Sequence, residues 1–402
     1  MGLPLAFVAL PLYVQLPHHY ASRFGIALAT LGTLLLGARL LDALADPWIG
    51  RLADRWLQRG QALPVAAGAA LVAAAGFHAV FHPPFGEPAA LLAWCALSLG
   101  ITYLAYSVLA VLHQAWGARL GGDEPQRARI VAWREGFALA GVLVASVLPA
   151  LAGLDATSAL FALALLLGWL GWRQAPVPAA QALGAHPSLR APWAVPAFRR
   201  LLAVFVVNGI AAAVPATLVL FFVRDRLQAP TYEPLFLGAY FAAGALALPL
   251  WVRAVARWGL VRVWLAGMAL AVAGFAGAGA LGAGDVLPFA LVCVASGVAL
   301  GADLALPGAL LAGVVQRAGH AGSLEGAYFG WWNLAAKLNL ALAAGLALPL
   351  LQALGYGPGR QDEPALQALT LAYCVLPCVM KLAAGALLWR WRAAWTDRHP
   401  SA

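Results

Sequence analysis

Asp46-Pro47-Trp48-Ile49-Gly50-Arg51-Leu52-Ala53-Asp54-Arg55 closes an apolar run that begins near residue 25 and precedes another at 62–82. A bilayer crossing takes about 20 apolar residues, so the stretch reads as a short, basic turn between two spans. A weaker copy stands about half a chain away, in Pro249-Leu250-Trp251-Val252-Arg253 followed by Arg257-Trp258-Gly259 and Arg262. Two such turns, each after the second span of its series, point to an internal repeat and a chain built as two related halves.

Composition agrees with a lipid solvent. The chain has 402 residues, 63% of them hydrophobic and 10% charged, and a mean hydropathy of +0.82. That is more apolar surface than one soluble core of this length hides. Sixteen Trp fit a chain with many membrane–water interfaces. The four cysteines, Cys95, Cys293, Cys374 and Cys378, all lie in apolar runs and read as small packing residues, with neither a disulfide framework nor a metal site. No His and Glu cluster with metal spacing and no activated nucleophile is evident, which argues against an enzyme. The net charge of +9 would raise nucleic acid in a soluble protein; here it lies in loops. The expected partners are the bilayer, a small-molecule substrate and a coupling cation, with no cofactor and no nucleic acid. The opening apolar run has no basic stretch before it and leads straight into further spans, unlike a cleavable signal peptide.

Spans are expected near 2–20, 25–50, 62–82, 88–116, 128–152 and 155–172, then near 198–223, 232–256, 260–283, 285–315, 325–354 and 364–391. The fold expected is therefore an all-α polytopic membrane protein of about twelve helices: a six-helix half at 1–173, a Pro-rich linker at 174–197 and a second half at 198–402. With both termini in the cytoplasm, 17 of the 25 basic residues fall in cytoplasmic loops. Only Arg23, Arg224, Arg226 and Arg360 fall outside, the asymmetry that the positive-inside rule requires.

Ionisable groups within spans carry the functional reading, because each costs about 2.5–3.5 kcal/mol at a helix centre. Arg39, Asp42 and Asp46 share one face of the second span, at spacings of three and four. Paired carboxylates facing a bundle interior suit Na⁺ or H⁺, and Arg39 can pair with Asp42; a structural salt-bridge cluster is the alternative. Arg134 and Glu135 interrupt the fifth span. The guanidinium suits a hydroxyl pair or a carboxylate on a substrate, or else pairs with Asp42 or Asp46. Lys337 and Asn333 lie one turn apart in the eleventh span, on a stripe with Gly326, Gly330, Ala341 and Ala344 that reads as a cavity wall or a close helix contact. Tyr103, Ser107 and Gln114 share a face of the fourth span and are candidates to line a cavity, with packing roles as the alternative. Asp303 is expected to gate with a basic loop residue such as Arg317, and Lys381 to snorkel from the end of the twelfth span.

The turn Gly50 to Arg55 resembles the Gly-x-x-x-Asp-Arg loop signature of the major facilitator superfamily, which places Asp54 and Arg55 in a charge network. Arg39-Leu40-Leu41-Asp42-Ala43-Leu44-Ala45-Asp46-Pro47, then Gly50, is similar to the span-two signature of the glycoside-pentoside-hexuronide:cation symporters, the melibiose permease family. Arg127 and Arg134, and the blocks from Gly301 to Lys337 and at Gly355-Tyr356, extend the resemblance to both halves. It implies that Asp42 and Asp46 hold the coupling cation, Arg134 contacts sugar, and Lys337 joins a central charge network. The family's span-four aspartate falls at Ser107 and its span-one acid near Ala6, so both acids are missing here. The function expected is cation-coupled symport of a small polar solute in a bacterial inner membrane, with transport of an amphiphile such as a lysophospholipid, or proton-coupled export, as alternatives.

Overall fold

A computed structural model describes residues 1–178, 188–357, 359–360 and 362–395, and the side chains of all of these except Leu28 and Ala344. Part of the expected linker (179–187), part of the stripe (Ala344) and Arg398 thus lie outside the described residues.

In chain order the helices are α1 (Gly2–Phe7), α2 (Leu16–Phe24), α3 (Leu28–Gln58), α4 (Ala62–Phe81), α5 (Pro88–Arg119), α6 (Glu124–Arg173) and α7 (Ala191–Ala194). They continue as α8 (Pro196–Phe221), α9 (Glu233–Ala278), α10 (Val286–Arg317), α11 (Glu325–Ala353), α12 (Glu363–Thr370) and α13 (Leu376–Arg390). Two of these hold two spans each. Gly153, at φ 78°, breaks α6, and Gly259, at φ 76°, breaks α9. A left-handed backbone is cheap only for glycine, and both breaks fall where the hydropathy pattern separates adjacent spans. Three spans contain a π turn: Pro11–Gln15 between α1 and α2, Phe222–Arg226 after α8, and Leu371–Val375 between α12 and α13. Counted in this way, the described residues hold twelve membrane-crossing segments in an all-α fold.

The chain forms two compact units, one of 1–121, 133–192 and 315–334, the other of 122–132, 193–314 and 335–402. In the first, the core is aromatic: Phe7 stacks on Phe161 with centroids 5.8 Å apart, and Phe161 meets Phe77 at 4.7 Å. Backbones also approach closely. A Cβ on Gly50 would strike the Gly326 carbonyl, and one on Gly326 the Gly50 carbonyl, so α3 and the start of α11 meet through bare backbone. This is how membrane helices gain contact without a hydrophobic drive.

In the second unit, Phe222 stacks on Tyr373 at 4.3 Å and Phe236 packs edge-on to Phe289 at 4.8 Å. Past the break at Gly259, the amide of Leu260 donates to Glu124 Oε2 at 2.8 Å, so a carboxylate caps the restarted helix.

Candidate functional site

In the first unit the paired carboxylates of α3 are buried, Asp42 at 2% exposure and Asp46 at 0%. The Ser107 hydroxyl of α5 donates to Asp42 Oδ1 at 2.6 Å. A carboxylate inside a membrane helix is tolerated only when donors or a cation satisfy it, and Ser107 stands where one such partner is needed.

Arg39 completes the site differently from the expected pairing with Asp42. Its recorded contacts are aromatic: the guanidinium lies 4.6 Å from the ring centre of Tyr13 and 5.8 Å from that of Tyr103. Stacking leaves the in-plane N–H donors of an arginine available. The phenol oxygens of Tyr13 and Tyr103 are buried and without a hydrogen-bond partner, and Tyr106 is within electrostatic reach of Arg39, Asp42 and Asp46. The result is a charged, aromatic-walled niche on α3, α5 and the π turn of the first span. Tyr13 was legible only as an aromatic two residues after Pro11; the π turn brings it into the niche.

Other expected site residues stand apart. Arg134 makes a two-pronged contact with its neighbour Glu135, at 2.9 and 2.6 Å, instead of with Asp42 or Asp46. Gln114 lies further along α5 with a buried carbonyl oxygen lacking a partner. Asn333, in the first unit, and Lys337, in the second, are half-buried on α11.

Asp54 lies past the expected span, in the last two turns of α3. It is fully buried and accepts from the amides of Gly326 and Ala327 at 2.7 and 2.8 Å, capping α11. Arg119 sits 3.6 Å from Asp54 and binds Glu325 at 3.0 Å, and Glu325 in turn accepts from the amide of Gly322. Burial pushes the Asp54 carboxyl up to about 8, with the two amides and Arg119 pulling the other way. Arg55 is exposed. Arg119 reads from sequence as one more loop arginine, and nothing local marks it as the bridge between two acids.

The second unit corrects two expectations. Lys381 does not snorkel: it is 4% exposed and donates to Asp303 Oδ2 at 2.6 Å and Asn208 Oδ1 at 2.9 Å. Asp303 is accordingly partnered by Lys381 instead of standing as a gate for Arg317, and its Oδ1 accepts from Asn208 at 3.0 Å and Trp264 at 2.9 Å. This network ties α8, α9, α10 and α13 together. Among the described residues no group of three or more His, Cys, Asp or Glu is placed to hold a metal ion.

Residues 1–393 match the family described as MFS/sugar transport protein. The chain belongs to that family. The inner membrane symporter YicJ of Escherichia coli (strain K12) is 27% identical over 130 residues, a stretch covering 32% of this chain and 28% of the relative. A bacterial homologue of the iron transporter ferroportin has the same fold at a TM-score of 0.74, with 16% identity over 98% of this chain and 97% of that one. The transporter FucP follows at 0.67, with 13% identity over 95% and 96%, and the human organic anion transporter MFSD10 at 0.64, with 19% identity over 96% and 97%. At these identities the solved structures show the fold. The family member described here is an integral membrane protein of the major facilitator fold and a transporter, not an enzyme.

Proposed function

We propose that this transporter is a symporter that couples a small polar solute to the entry of Na⁺ or H⁺, with Asp42 and Asp46 as the cation site and its arginine-rich loops and both termini in the cytoplasm. The observation that carries the reading is the buried pair of carboxylates one turn apart on α3, with the Ser107 hydroxyl on Asp42. Oxygen donors in a water-poor surround hold a hard cation or a proton. The adjoining Arg39, Tyr13 and Tyr103 offer a planar donor fork and two phenol hydroxyls, which suits hydroxyls or a carboxylate on the solute. Similarity to a bacterial inner membrane symporter supports both the coupling and the membrane. Arg134, Gln114, Asn333 and Lys337 are proposed as further solute contacts. The Asp54–Arg119–Glu325 cluster is proposed as a latch that opens and closes in the cycle.

The test is uptake into proteoliposomes of a panel of sugars and other polar solutes, under an imposed Na⁺ or H⁺ gradient. The expected result is gradient-driven accumulation of at least one solute, with cation entry dependent on that solute. Solute entry by Asp42→Asn that remains fully gradient-driven would overturn the assignment of the cation site.

A further inference from the structure

The start of α8 and the end of α13, both in the second unit, meet at one membrane face. Trp395 is fully buried, and its indole N–H donates to the carbonyl of Ala197 at 3.2 Å, pinning the two ends together. Arg199 and Arg200 of α8 and Arg390 and Arg392 around the end of α13 are all exposed there. Sequence offers them no acid: neither 188–224 nor 364–395 contains Asp or Glu. Arg392 is held in place, its guanidinium 4.0 Å over the Trp389 ring and its Nη1 donating to the Trp389 carbonyl at 3.0 Å. At the same corner, the first turn of α8 has no side-chain cap, leaving amide donors and the positive end of a 26-residue helix.

The surface below this corner is apolar. Val375, Val379, Leu382 and Trp389 are 48, 57, 59 and 53% exposed, and their spacing of three, four and seven places them on one stripe of the twelfth span, running away from the arginines. The stripe is about 21 Å long at 1.5 Å per residue, and a monolayer of the hydrocarbon core is about 15 Å deep. From this juxtaposition we infer that the corner is a binding site for an anionic phospholipid. The headgroup phosphate sits among the four arginines and the α8 amides, and an acyl chain lies along the stripe, with Trp389 at the boundary. A free phosphate satisfies the arginines but makes no use of the stripe, and a zwitterionic lipid carries a cation into a corner without acids. The site is remote from the reading of Asp42 and Asp46, so either can fail alone.

The experiment is native mass spectrometry of the full chain in detergent, titrated with dioleoyl-phosphatidylglycerol or dioleoyl-phosphatidylcholine. The wild type is expected to retain phosphatidylglycerol preferentially. Each arginine near an anionic lipid is worth about a fivefold change in affinity, so Arg199→Gln/Arg200→Gln/Arg390→Gln is expected to bind on the order of a hundredfold more weakly. A control that removes three exposed arginines elsewhere, Arg59→Gln/Arg129→Gln/Arg257→Gln, is expected to keep the tight lipid. If the triple variant does not fold, Arg390→Gln alone is expected to lose about fivefold. Equal retention of the two lipids, equal loss in the control, or displacement of phosphatidylglycerol by millimolar inorganic phosphate would each overturn the inference.

Discussion

Asp42 and Lys381 are both charged and buried, yet their surroundings predict opposite behaviour. Asp42 has one short hydroxyl contact from Ser107. Replacing Ser107 by Asp places a second carboxylate within hydrogen-bond distance of the first, and two such charges repel unless a cation or proton lies between them. The expected outcome for Ser107→Asp is a melting temperature that is lower than wild type without Na⁺ and rises more steeply as Na⁺ is added at constant ionic strength. An identical Na⁺ dependence in both proteins counts against a cation at this position. Lys381, by contrast, belongs to a saturated network with Asp303, Asn208 and Trp264. Removing one partner of a buried ion pair costs about 3–5 kcal/mol, whereas replacing both by apolar residues is close to neutral. Lys381→Met is therefore expected to melt far below wild type, and Lys381→Met/Asp303→Leu to recover most of the loss in a detergent thermal-shift assay. Failure of the double variant to recover would mean that the charges themselves are required.

At the scale of elements, the junction of α3, α5 and α11 joins bare backbone to buried charge. Because the Gly50 and Gly326 carbonyls face each other's Cα positions, Gly50→Ala forces the helices apart, at a cost of about 1–3 kcal/mol if overpacking here resembles that in other cores. The melting temperature measures it. Asp54 adds a pH dependence. A carboxyl raised from 3.8 to about 8 keeps its proton in the folded state where the unfolded chain has lost it. Between those values the folded state binds more protons, and stability falls as pH rises. Melting temperatures should decline from pH 5 to 8 and flatten above 8, and Asp54→Asn should remove that slope. An unchanged slope in Asp54→Asn assigns it to another group.

For the molecule as a whole, the asymmetry of arginines predicts which loops face the cytoplasm. Arg59 and Arg360 are both exposed, but they belong to loops expected on opposite sides. With Cys95, Cys293 and Cys374 buried, an impermeant maleimide applied to intact spheroplasts should label Arg360→Cys and leave Arg59→Cys unlabelled until the membrane is opened. The reverse pattern would invert the topology.

The sequence alone determined the twelve apolar segments, the breaks between them and the pair of acids on one helix face, because each is a local property of hydropathy, glycine or a 3.6-residue period. Partners were decided only by the tertiary structure. Whether Arg39 meets a carboxylate or two tyrosines, whether Arg134 turns to Glu135, and whether Lys381 reaches the interface or Asp303 depends on helices far apart in the chain. So does the joining of Asp54 to amides more than 270 positions away. In a bilayer a buried charge must find a partner, and which one it finds is set by the packing of neighbouring helices, which no single helix encodes.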